Sequence, residues 1–157
     1  MIRNSITLAT LTVATTVGVY LRGQTPDREI AAARNALAFK SAELETMPFR
    51  QAFARHNRIP HDDPEGPFTS PGPEFNVPGS PSAIGRIEFP ADEVGQLREN
   101  LPLAWADSPR DLNADGSIDG QDHSADYAVL PVRIVVEWQS PDGARRLERI
   151  LVLTRRH

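Results

Sequence analysis

The sequence predicts an α+β domain in which a long N-terminal helix, its first half membrane-inserted, packs on a small C-terminal antiparallel sheet. Three observations lead there. An uncharged run from Asn4 to Leu21 opens the chain, an amphipathic segment follows it, and two apolar strand-like segments joined by "SPDG" close it. At 157 residues the chain suits one domain with a real core. Aromatics at 6% and 14 prolines, crowded into the middle, predict a modest core and long irregular connections. The net charge of −4 and a pI near 5.5 argue against nucleic acid as a partner, since no basic stripe exists to displace phosphate counterions. Without cysteine, disulfides, zinc–thiolate sites and thiol catalysis are excluded.

Residues 1–24 form the first segment. Arg3 precedes the uncharged run and Arg22 follows it, and five threonines soften it. A full span wants about 20 apolar residues, so the run reads as a short membrane-inserted helix. A signal-peptide core and a buried core helix are the competing readings. No small-x-small cleavage site follows the run, and it has no polar face.

Residues 25–157 form the extracytoplasmic domain on this reading. Its first element is a helix over 26–47. Thr25 is placed to cap it, Pro26 is tolerated in the first turn, and Asp27 and Glu29 suit the positive end of the dipole. Ile30, Leu37 and Leu44 recur every seven residues, with Ala33 and Met47 on the same face. That stripe predicts packing on the domain's own core, with any assembly surface an addition. Pro48 ends or kinks the helix, and "FRQAFARHNR" adds a short second helical piece.

Residues 57–82 are too rich in proline and glycine for a helix, and predict a meander with edge strands near Phe68 and Phe75. "AIGRIEF", 83–89, reads as a strand and "ADEVGQLREN", 91–100, as a helical turn. The hairpin spans 127–156. In its first strand Val132, Ile134, Val136 and Trp138 share one face, and the "SPDG" turn places proline second and glycine fourth.

The most explicit chemistry is "DLNADGSIDGQD", 111–122. Calcium takes six to eight oxygens, and a twelve-residue loop can supply them from alternate positions. Asp111, Asn113 and Asp115 would give side-chain oxygens, Ser117 its carbonyl, Asp119 a direct or water-bridged contact, and Asp122 the closure. Gly116 permits the left-handed turn, and Ile118 would point into the core and anchor the loop. The competing reading is a solvated turn in which Asp and Asn side chains bond their own backbone. As a calcium site outside the cell it would bind at about 10⁻⁴ to 10⁻³ M and serve as a folding clamp. The loop resembles the calcium half of a dockerin repeat, with no second copy in the chain and with Asp122 where helix-loop-helix sites carry glutamate.

His56, His61 and His123 are available to catalysis, and "HDD" at 61–63 is the most tempting group. No nucleophile elbow, phosphate loop or zinc spacing accompanies them, so the chain reads as a non-enzyme.

A family resemblance enters at both ends. "SITLATLTVA" resembles the prepilin signature, with Ser5 at the glycine, Ile6 at the phenylalanine, Thr7 and Leu8 matching, and Thr10 at the glutamate. "MIRNS" would be its leader. "ARNALAFKSAELETMPF" resembles the helix of minor pilins and type II secretion pseudopilins. The stretch from Asp111 through the final hairpin is similar to the terminal sheet region of pilin-like proteins, some of which carry calcium loops there. The resemblance implies a pilin-like fold and a subunit of a type IV pilus or type II secretion filament without an active site. It also implies a single-pass inner-membrane anchor, a periplasmic head, and other subunits as partners through the N-terminal helix. The alternative is a membrane-anchored extracytoplasmic calcium-binding interaction domain outside any filament.

Overall fold

The structure, a computed structural model, describes residues 27–155. Helix α1 covers 27–46, and no glycine or proline interrupts it. Ala33, Ala36, Leu37 and Leu44 are buried along one side of it, and Ile30 and Met47 pack against the core from its two ends. Buried Ser41 fits this apolar face because its hydroxyl donates to the Leu37 carbonyl at 2.7 Å. Pro48 then ends the helix. Helix α2, Phe49–His56, follows at once, and buries Ala52, Phe53 and His56.

Four strands form one antiparallel sheet in chain order: β1 Glu74–Asn76, β2 Ile84–Glu88, β3 Val129–Ser140 and β4 Gly143–Thr154. Val132, Ile134, Val136 and Trp138 of β3 are all buried on the helix-facing side, as their alternation predicts. The β3–β4 register closes at Ser140 opposite Gly143, so the turn is "SPDG" as read from the sequence. On β2, Gly85 is where the Phe75 ring of β1 lies: a Cβ there would come within 2.1 Å of that ring. The Lys40 ammonium in turn sits 5.3 Å from the Phe75 centroid, joining α1 to the sheet edge.

One aromatic group ties α2 to the start of β3. The Tyr127 ring lies 4.9 Å from Phe49 and 6.1 Å from Phe53, and its hydroxyl donates to the Phe49 carbonyl at 3.2 Å. Burial pushes the Tyr127 phenol up to about 12. This anchor fixes the chain immediately after the Asp-rich loop.

Several expectations are corrected. The described helices are short, about 20 and 8 residues, on a four-stranded sheet, in place of a pilin-like long N-terminal helix. The physical reason lies in α1, whose outer face carries exposed Asp27, Arg28, Arg34 and Glu45, and in Pro48, which stops it. Among the described residues no helix is long and apolar enough to cross a membrane, which corrects the expectation of a single-pass inner-membrane protein. The apolar run Asn4–Leu21, within segment 1–24, lies outside the described residues. Phe68 forms no strand, having a φ of 64° and 77% exposure. Residues 91–100 form no helical turn. There the Asp92 carboxylate accepts the Val94 and Gln96 N–H groups and an Ala91–Leu97 bridge closes the loop.

Candidate metal centre

A short stretch of backbone, Leu97 to Glu99, frames the loop on both sides. Arg110 N–H donates to the Glu99 carbonyl at 2.9 Å, and His123 N–H donates to the Leu97 carbonyl at 3.0 Å. Fully buried Leu97 fixes this stretch in the core. The Leu112 carbonyl accepts from Ala128 and Val129 at 2.7 and 2.9 Å, docking the loop against the start of β3. Leu112, 1% exposed, is thus the residue that anchors the loop. Ile118, expected to do so, is 52% exposed.

Glu99 closes the frame from below. Its side chain is 1% exposed, and its Oε1 accepts the Leu112 N–H at 2.6 Å and the Asn113 N–H at 3.2 Å. Its Oε2 accepts the Asp119 N–H at 3.1 Å. A buried carboxylate is costly unless hydrogen-bonded, and three backbone donors meet that cost here.

In the first half of the loop the predicted ligands gather. Asp111 accepts the Ala114 and Gly116 N–H groups at 2.6 and 2.8 Å, one on each oxygen. Gly116 has a φ of 88°, the left-handed turn that lets its N–H point back at Asp111. Asn113 Oδ1 accepts from Asp115 N–H at 3.1 Å, and Asp115 Oδ1 from Ser117 N–H at 2.8 Å. The Asn113 NH₂ bridges two carboxylates, donating to Asp115 Oδ2 at 3.1 Å and Asp126 Oδ2 at 3.4 Å.

The second half departs from the expected pattern. Asp122 Oδ1 accepts from the Ser124 N–H at 3.0 Å and the Ser124 hydroxyl at 2.6 Å, so it caps the following turn. Asp119 Oδ1 faces His123 Nε2 at 3.1 Å and accepts the Gln121 N–H at 2.7 Å. The Gln121 N–H first, and then the His123 ring, hold the Asp119 carboxyl below the ordinary aspartate value. His123 is 4% exposed, and its Nδ1 faces Asp126 Oδ1 at 3.1 Å. Burial opposes its charged form, but the hydrogen bonds to Asp119 and Asp126 outweigh burial and raise its pKa above the ordinary histidine value.

Glu99, Asp119 and His123 therefore form a group that could hold a metal ion, with one ligand atom from each lying within 4.8 Å of the others. Of its three members only Asp119 belongs to the set read from the sequence as calcium ligands. His123 was visible beside the loop, in "HSAD", where it and Asp126 are three residues apart. Glu99 lies twelve residues before the loop begins and carries no local signal.

The other candidate histidines lie elsewhere. His56 is buried under α1, its Nδ1 facing the Gly72 carbonyl at 3.1 Å. His61 is exposed and stands 6.0 Å from the Phe68 ring. Its neighbours build turns: Asp62 accepts from the Asn57 amide at 2.7 Å, and Asp63 from the Thr69 and Ser70 N–H groups. Compared with known proteins, the chain matches no family model, no curated protein and no solved structure.

Proposed function

We propose that this chain is a non-catalytic binding domain in which loop 111–122 folds around a calcium ion that acts as a structural staple. The Asp111–Gly116 hydrogen bond carries the reading, because it curls the loop so that Asp111, Asn113 and Asp115 share one turn. Five aspartates lie between residues 111 and 126, with no lysine or arginine among them. Of these, His123 faces only Asp119 and Asp126, so the remaining negative charge calls for a cation, and carboxylate, amide and carbonyl oxygens suit a hard one.

Asp126 takes the closing role in place of Asp122, since its Oδ2 already meets Asn113 on the Asp115 side. Calcium binding turns the Asn113 amide over, giving up the bond its Oδ1 accepts from the Asp115 N–H and placing that oxygen, with the ion, between the two carboxylates. With Ser117 contributing its carbonyl and water the remainder, the set reaches calcium's coordination number. The ion orders the connection between the proline-rich middle and the hairpin. No observation favours filament assembly over this reading, because the apolar stripe of α1 is covered by the domain's own sheet.

Calorimetric titration of the full chain with calcium tests the reading. The expected result is about one ion per chain, bound at about 10⁻⁴ to 10⁻³ M, with Asp111→Ala and Asp126→Ala each abolishing the heat. Equal binding by wild type and Asp111→Ala would remove the loop as the site.

A further inference from the structure

Beneath the calcium loop a second set of donors converges, with different chemistry. His123 Nε2 lies 3.1 Å from Asp119 Oδ1 and 3.6 Å from Glu99 Oε2. A tetrahedral ion with bonds of about 2.0–2.2 Å holds its ligand atoms about 3.3–3.6 Å apart. One separation lies just below that range and the other at its upper end, and the two carboxylate oxygens lie within 4.8 Å of each other. The longer one is beyond hydrogen-bond length, so Glu99 Oε2 accepts only the Asp119 N–H and is aimed at a ring nitrogen it does not bond.

The surroundings set each donor in place. Asp126 Oδ1 accepts from His123 Nδ1–H, which fixes the ring so that Nε2 faces the two carboxylates, where a metal ion displaces the proton it shares with Asp119. Three backbone N–H groups hold the Glu99 carboxylate so that it cannot swing away. The Asp119 side chain is 39% exposed, which opens the fourth position to water.

We infer that Glu99, Asp119 and His123 bind a divalent transition-metal ion of the zinc class, with water as fourth ligand. An imidazole with two carboxylates suits zinc or cobalt, whereas calcium takes oxygen ligands in larger number. The ligand set is separate from Asp111, Asn113, Asp115, Ser117 and Asp126, so this inference stands whether or not the loop takes calcium. Binding replaces the proton shared between His123 and Asp119, so one proton leaves as the ion enters.

Cobalt(II) titrated into the metal-stripped full chain, followed by visible absorption, tests the site. The expected result is about one equivalent bound with the intense bands of a four-coordinate ion, bleached by zinc. His123→Gln and Asp119→Asn should each weaken cobalt binding at least about tenfold. Asp119→Asn, whose carboxylate touches none of the calcium ligands, should keep its response to calcium, which separates failure of this site from failure of the loop. Should His123→Gln fail to fold, Asp119→Asn, half-exposed in the fold, still decides the question. Absence of the bands at about 100 µM cobalt, or bands unchanged in either variant, would overturn the inference and leave His123 as an ion-pair partner of Asp119 and Asp126.

Discussion

Glu99 Oε1 accepts the Leu112 N–H at 2.6 Å, across thirteen residues of chain, with both groups buried. The same carboxylate accepts from Asn113 and Asp119, so one side chain holds both halves of the loop. The loop's frame is therefore built by protein atoms.

Glu99→Ala should cost about 3 kcal/mol or more, because it leaves three backbone donors without their acceptor. Glu99→Gln keeps one acceptor oxygen and should cost less. Urea unfolding of both variants measures the difference, and a loss below about 1 kcal/mol for Glu99→Ala would show that other acceptors replace the carboxylate.

Gly85→Ala should destabilise the fold by about 1–3 kcal/mol, since its Cβ meets the Phe75 ring within 2.1 Å. Phe75 would have to leave the β1–β2 pair and its place beside Lys40. Thermal melts of wild type and variant test this. An unchanged melting temperature would mean that Phe75 moves aside without cost.

His56 sets a pH dependence. Burial depresses its pKa below the ordinary 6.5; the Gly72 contact opposes this, Lys40 reinforces burial, and Glu43, 3.9 Å away, opposes it. Below that value the unfolded chain takes up a proton that the folded chain resists, so stability is lost as pH falls and is full above it. His56→Gln removes this effect. The stability of wild type minus that of His56→Gln should therefore fall as pH drops below about 6.5, as paired unfolding curves would reveal. A flat difference would place the titration elsewhere.

What could be read from the sequence follows the range of the interactions. The hairpin was legible because its signals are local: an alternation of Val132, Ile134, Val136 and Trp138, then a turn whose residues fix its geometry. The stripe of α1 was legible for the same reason. The curl of residues 111–117 was too, since Asp111 to Ser117 bond one another within five residues. Asp122 accepts from the Ser124 N–H and hydroxyl two residues on, a local competitor for its carboxylate that the spacing of the loop does not show. Ile118 was misread because Leu112, at the loop's other end, fills the core position. Glu99 could not be read at all: its partners lie thirteen, fourteen and twenty residues away. The membrane and pilin-like expectations drew on residues before 27 for much of their force, and the described helices do not continue them.

The most direct test of the central claim is the melting temperature of the full chain with and without calcium, beside Asp115→Ala. A site of about 10⁻⁴ to 10⁻³ M, at about 10 mM calcium, should stabilise by about 1.4–2.7 kcal/mol and raise the wild-type melting temperature by about 3–10 °C. Asp115→Ala should show no rise. A wild type that melts at the same temperature with calcium as without it would contradict the staple and leave the loop as a turn held by its own side chains and by Glu99.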